Sequence, residues 1–356
     1  MSINGNINGS IIRNVNGNIN GSINTTKGIE NKPEEPVFYG GQALIEGVMM
    51  RGKASYALAV RRTNGEIEIH EQTLPNNTKR PIILKLPIIR GVMAFGSSMK
   101  VGFKTLAKSA DIAMQDETET AEPSRFEAFL IRTFGDKLNN ILMTLSMIVA
   151  VVFALGLFML LPTWIGTLLS PIIGPWIGVV EGLVRILIFV LYIFIISRAK
   201  DIQRVFGYHG AEHKAINCYE QGLPLTTENI QACSRLHKRC GTSFLMVVMV
   251  ISMILFMIIR IDNVWLRFGS RILLLPLIAG LAYEVSVKWA GKRDNFIVRA
   301  ITKPGMALQR MTTGEPDDAQ IEIAVTALNL AIAADNPETV IAETTSPANT
   351  ESDPAL

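Results

Sequence analysis

The chain has 356 residues, 49% of them hydrophobic and only 18% charged, and a mean hydropathy of +0.30. That balance excludes an ordinary soluble enzyme and points to an integral membrane protein. A formal net charge of +3 with no strongly basic domain argues against a nucleic-acid partner, and three cysteines, an odd number, argue against a disulfide framework.

Residues 1–35 repeat Asn-Gly steps (Asn4-Gly5, Asn8-Gly9, Asn16-Gly17, Asn20-Gly21) and carry too little apolar surface for a core, so they are predicted to be disordered. They lack the charged and apolar halves of a signal peptide, which leaves insertion to internal segments. Residues 36–137 read as a small cytosolic α+β domain. Its opening run, Phe38 to Gly52, is rich in glycine and implies tight turns or close approach to another element. Glu46 and Arg51 in that run form either a solvated loop pair or part of a loop that folds over the central site and adds a carboxylate to it. Asn64-Gly65 between two alternating segments predicts a hairpin with a type I′ turn. Residues 82–114 predict a basic amphipathic helix with Lys100, Lys104 and Lys108 on one face, lying on an anionic membrane surface or covering the domain. An acidic linker, 116–123, follows.

Four membrane helices are predicted, in two hairpins at 138–197 and 241–290. The spans are Ile141–Leu161, Ile177–Ile196, Gly241–Ile259 and Ile272–Val287, with an outer turn beginning at Pro162 and a second one holding Arg260, Arg267 and Arg271. Glu181 and Arg185, four apart in the second span, are expected to satisfy each other. Lysine and arginine crowd the segment before the first span, the loop 198–240 and the segment after the fourth, which predicts that both termini and that loop are cytoplasmic. A cytosolic extension, 291–312, leads into an acidic tail, 313–356, predicted to be largely disordered with one short helix near Ala319–Ala334.

The chemistry concentrates in the loop 198–240. His209-Gly-Ala-Glu-His213 has the H-x-x-E-H spacing of zinc hydrolases: on a helix both imidazoles share a face, and Glu212 stays within reach of a metal-bound water. Gly210 weakens that helix by about 1 kcal/mol relative to alanine. A second cluster, His237-Lys-Arg-Cys240, ends a segment from Thr227 that reads as a capped helix. His209, His213, His237 and Cys240 are thus candidate ligands of a divalent metal, zinc by donor type, with Glu284 at the inner end of the fourth span as a further ligand. Glu212 is the candidate general base. Lys214, Arg235, Lys238 and Arg239 read as membrane-proximal anchors or as a cradle for an anionic lipid or phosphorylated substrate. The competing reading is a non-catalytic assembly factor or scaffold whose His/Cys cluster closes a structural zinc site.

Four motifs occur in order: Gly40-Gly-Gln-Ala-Leu-Ile-Glu-Gly-Val-Met-Met-Arg-Gly52, Leu86-Pro-Ile-Ile-Arg-Gly91, Gly207-Tyr-His-Gly-Ala-Glu-His-Lys-Ala215 and His237-Lys-Arg-Cys-Gly-Thr-Ser243. Over roughly residues 37–312 the chain resembles the YqhQ-like family of bacterial membrane proteins. The resemblance implies a location in the bacterial inner membrane and a metal-dependent activity, and it implies no substrate.

Overall fold

A computed structural model describes residues 12–14, 38–74, 81–114, 138–259, 261, 263–289 and 295–336. The protein is mostly helical, with a small antiparallel sheet near its N-terminus. Four strands, β2 (Gly40–Leu44), β3 (Gly47–Arg51), β4 (Ser55–Arg61) and β5 (Ile67–Thr73), form a meander in the order β5-β4-β3-β2. A short strand, β1 (Ile12–Asn14), pairs with the outer edge of β5, so the segment expected to be disordered contributes one edge strand. The rest of residues 1–35 and the linker 116–123 lie outside the described residues.

The β4–β5 hairpin falls where Asn64-Gly65 predicted it, but its turn is of another kind. Gly65 N–H donates to Arg62 O at 3.0 Å and Arg62 N–H to Glu66 O at 2.8 Å, while only Gly65, at φ 88°, takes a positive φ. That is a three-residue connection closed by a left-handed glycine, not a two-residue type I′ turn, because Asn64 keeps a negative φ.

Alternation along the strands sends side chains to two cores. Leu44, Met49, Leu58 and Val60 pack with Ile112 of helix α1 (Ile89–Met114) on one face. Val48, Met50 and Ala59 pack on the other against helix α5 (Lys200–Glu220) and helix α10 (Asp318–Asp335). Helix α1 therefore covers the sheet, with Thr105 and Ser109 buried and Lys104 Nζ bonded to Gln72 Oε1 at 2.8 Å. Its N-terminus also meets the apolar helices described below: a Cβ on Gly91 would lie 2.9 Å from Gly280 O.

Helix α10 is the short helix expected near Ala319–Ala334, but it packs into the core and does not lie free in the acidic tail. Ile323, Ala324, Ala327, Leu328 and Ala331 are fully buried, and Asp317 opens the helix with a capping box to Gln320. At its far end the Asp335 carboxylate accepts the Lys53 and Ala54 N–H groups at 2.9 and 2.7 Å, fixing the β3–β4 turn. Charge at the helix surface hid a face of small and branched apolar residues in the sequence. Residues 337–356 lie outside the described residues.

Among the described residues, three stretches are long and apolar enough to cross a membrane: Thr144–Ile196, Gly241–Ile258 and Trp265–Val287. The first holds both spans expected in hairpin 1. Helix α2 (Leu138–Leu155) passes through a π-helical turn, Gly156–Leu160, into helix α3 (Leu161–Ile173) before the chain reverses at Gly174, φ 51°, into helix α4 (Ile177–Ile196). The turn thus lies twelve residues beyond Pro162, which sits in the first turn of α3, where a missing N–H is tolerated. Helix α7 (Gly241–Ile258) leads to α8 (Val264–Tyr283), which starts eight residues before Ile272 and carries Arg267 and Arg271 inside the helix rather than in a turn.

That shift changes the ion pairing. Glu181 is held by Arg271 and, at 3.4 Å, by Arg267, not by Arg185. Arg185 instead donates from Nε to Phe158 O at 2.8 Å. Phe158 lies in the π-helical turn Gly156–Leu160, where the helical hydrogen-bond register is widened.

Candidate metal centre

The segment expected to be a loop is mostly helix. Helix α5 carries Tyr208, His209, Glu212, His213 and Lys214, and after Thr226 caps the short helix α6 (Thr227–Ala232) the chain runs irregularly to Cys240. Helical spacing puts His209 and His213 on one face, with ring centroids 4.4 Å apart.

Each imidazole is oriented by a backbone carbonyl. Nδ1 of His209 lies 2.8 Å from Thr312 O, and Nδ1 of His213 lies 2.6 Å from Arg235 O. A carbonyl only accepts, so each Nδ1 carries a proton, and in the neutral ring Nε2 then keeps the lone pair. The His209 Nε2 lies 3.3 Å from Cys240 Sγ, and one donor atom from each of His209, His213 and Cys240 falls within 4.8 Å of the others. A tetrahedral ion with Zn–N near ~2.0 Å and Zn–S near ~2.3 Å needs donors roughly 3.3 to 3.6 Å apart, so the donor set fits zinc after small side-chain adjustments. Metal-binding histidines commonly donate their other ring N–H to a carbonyl, as these two do. Burial pushes the His213 imidazole below its ordinary pKa, with Cys240 and the Arg235 carbonyl opposing, and so favours the neutral form that binds a metal.

Two glycines make these approaches possible. A Cβ on Gly210 would meet Gly314 O at 1.9 Å, so this glycine admits the extended segment that brings Thr312 O to His209. Gly314 N–H in turn donates to Phe206 O at 2.7 Å. Read in the sequence as a defect of the helix, Gly210 is a condition of the site. Gly41 plays the same part for Glu212: a Cβ there would lie 2.7 Å from Oε1, and its N–H bonds the carboxylate. Glu212 is 5% exposed. Burial raises its pKa, while His209, His237 and the Gly41 N–H lower it.

It is strand β2 that packs against the centre, through Gly41, and not the loop that follows the strand. Glu46, the carboxylate expected from it, turns to Arg204 and to Tyr208 Oη at 3.2 Å. His237 stands beside the donor group, its ring 5.7 Å from that of His213 and its Nε2 3.5 Å from Glu220 Oε2. Burial raises the Glu220 carboxyl, but His237 and Arg239 hold it below the usual carboxylate range. Gln309 brackets the His237 backbone, accepting its N–H and donating to its carbonyl, both at 2.8 Å. Glu284 is not brought to the cluster. Arg90 binds both of its oxygens, at 2.7 and 2.5 Å, at the junction of α1 and α8. Lys214 is 2.9 Å from Glu315 and donates to Gln231 O, Arg235 donates to Thr313 O, and Arg239 pairs with Glu220 over the Phe38 ring, so these cations build the site's walls.

Residues 86–334 match the family described as "Protein of unknown function (DUF1385)". The chain belongs to this family. It is also 36% identical over 305 residues to the "Uncharacterized protein YqhQ" of Bacillus subtilis (strain 168), covering 84% of this chain and 93% of that protein. No solved structure matches it. The family match takes in both halves of the donor set, His209 and His213 on α5 and Cys240 at the start of α7, but not Gly41.

Proposed function

We propose that this protein is a metal-dependent hydrolase of the bacterial inner membrane, with both termini cytoplasmic and its site where α5 meets the start of α7. The observation that carries this reading is the trio of His209, His213 and Cys240, two imidazoles fixed through Nδ1 and aimed through Nε2 at a thiol, with a buried carboxylate between them in sequence. Three protein donors leave a fourth position for water or substrate, as in catalytic zinc sites. A divalent ion there supplies Lewis acidity and acidifies a water molecule. Glu212, held by Gly41 on the same helix face, accepts the proton.

An amphiphilic, phosphate-bearing substrate suits the surroundings. A cavity of about 440 Å³ at the end of α4 is lined by Phe194, Phe206, Arg198 and Arg310, and its wall at Thr313 adjoins Thr312, the residue that holds His209. The alternative is a scaffold with a structural zinc, favoured by His237, which stands close enough to His213 to become a fourth ligand after a rotamer change.

Full-length protein purified in detergent should carry about one equivalent of zinc, and the His209→Ala/His213→Ala variant none. In cobalt-substituted protein, added azide should perturb the visible spectrum and Cys240→Ser should abolish the thiolate charge-transfer band. Glu212→Gln should keep the metal and lose ~100-fold or more in turnover of bis(p-nitrophenyl) phosphate or fluorogenic phospholipids. Undiminished zinc in the double variant rejects the ligand set; a cobalt spectrum blind to azide favours the scaffold.

A further inference from the structure

We propose that the membrane helices hold an anion-binding site built on Arg185, which takes the phosphate oxyanion of a phospholipid headgroup or inorganic phosphate. Arg185 is 7% exposed, and both of its Nη atoms are buried without a hydrogen-bond partner. Only Nε is engaged, on the Phe158 carbonyl within the π-helical turn. The carboxylate one turn away offers nothing: both Glu181 oxygens are taken, Oε2 by Arg271 and Oε1 by Arg267. The ring of Phe256 lies 5.1 Å from the Arg185 guanidinium and 5.0 Å from that of Arg271, so two cations share one aromatic ring. Ring quadrupoles attract a cation weakly and do not neutralise it.

Among the described residues Arg185 thus has no counter-charge. It lies eight residues into α4, about 12 Å along the axis from the hairpin turn and within its apolar length. A buried guanidinium at that depth is strongly unfavourable unless an anion joins it. Nη1 and Nη2 on one planar fork match two oxygens of a phosphate, a geometry that lysine cannot reproduce. Leu183 and Leu187, on the same helix, are 55% and 66% exposed and present the apolar surface that acyl chains cover. The site is separate from the metal centre and does not depend on it.

The test is thermal unfolding of full-length protein in a neutral detergent at fixed ionic strength, titrated with inorganic phosphate or with dihexanoyl phosphatidylglycerol, against monohexanoylglycerol as an uncharged control. The wild-type midpoint should rise with the logarithm of probe concentration, as for any ligand of the folded state. Arg185→Met should abolish the rise and, in phosphate-free buffer, unfold no earlier than wild type, because the uncompensated charge is gone. A response to both probes assigns a free oxyanion site, and a response to the lipid alone assigns a headgroup site. No response above the control, or an equal response in Arg185→Met, overturns the proposal. If Arg185→Met does not fold, Arg185→Lys decides: a weakened response supports the site and an undiminished one rejects it.

Discussion

Alanine at Gly210 separates what a helix wants from what the site wants. In an exposed helix interior, glycine to alanine is worth about 1 kcal/mol of stability. Gly96 in α1 is such a position, because a Cβ added there would meet nothing within 4 Å, and Gly96→Ala should gain about that much. At Gly210 the same methyl meets the Gly314 carbonyl oxygen at 1.9 Å, where real Cβ atoms stay at least 3.0 Å away, so that carbonyl must retreat by at least 1.1 Å. Its neighbour Thr312 O holds His209 Nδ1 at 2.8 Å, a bond that does not survive such a displacement. Overpacking costs about 1–3 kcal/mol, enough to cancel or reverse the propensity gain. Loss of a ligand-orienting bond lowers metal affinity by roughly 10–100-fold. Chemical unfolding in detergent reads the first effect and zinc competition with a chromophoric chelator reads the second. If Gly210→Ala is stabilised like Gly96→Ala and binds zinc as wild type does, the Thr312 carbonyl does not orient His209 and the argument for the site loses its main support.

Other consequences are as direct. Glu284→Gln should leave zinc content unchanged and lower thermal stability, because Arg90 is the partner it serves; loss of metal would reinstate Glu284 as a ligand. Leu328→Ala should cost about 2–5 kcal/mol in chemical unfolding, since the side chain is fully buried against the sheet, whereas a cost below ~1 kcal/mol would place α10 outside the core. Glu220 has a folded pKa below its unfolded value, so its contribution is fully present above about pH 4.5 and is lost as pH falls through the lower, folded value. Unfolding midpoints between about pH 6 and pH 3 should therefore fall less steeply for Glu220→Gln than for wild type.

Much of this molecule was legible where one residue type reports one physical constraint. About twenty apolar residues mark a membrane-length helix, and His209, Glu212 and His213 at helical spacing mark a shared face. What escaped the sequence depends on partners far along the chain. The pairing of Glu181 with Arg185 followed from their spacing, yet arginines at 267 and 271 reach Glu181 first, a contact set by where α8 begins. The short helix near Ala319–Ala334 was legible, but its burial was not: Asp317, Asp318, Glu322 and Asp335 dominate the composition, while Ile321, Ile323, Leu328 and the buried Ala324, Ala327 and Ala331 between them carry the packing. Gly41 and Gly210 had a signal, glycine in the first motif and glycine between the candidate catalytic residues, but only coordinates show that each empties the space that another backbone or carboxylate fills.

The folding of α9 (Phe296–Thr312) onto the other elements fixes the candidate donors relative to one another. Gln309 on α9 ties the His237 backbone to Ser243 of α7, and Gly305 admits Ser243 so closely that a Cβ would lie 2.6 Å from its Cα. Three residues on, Thr312 O fixes His209, and Thr313 O receives Arg235, whose own carbonyl fixes His213. Both imidazoles are therefore referenced to one short segment, 309–313, which also anchors the start of the helix that supplies Cys240. A displacement of that segment changes all three donors together, so a metal bound at the proposed centre should be lost in one step and not ligand by ligand.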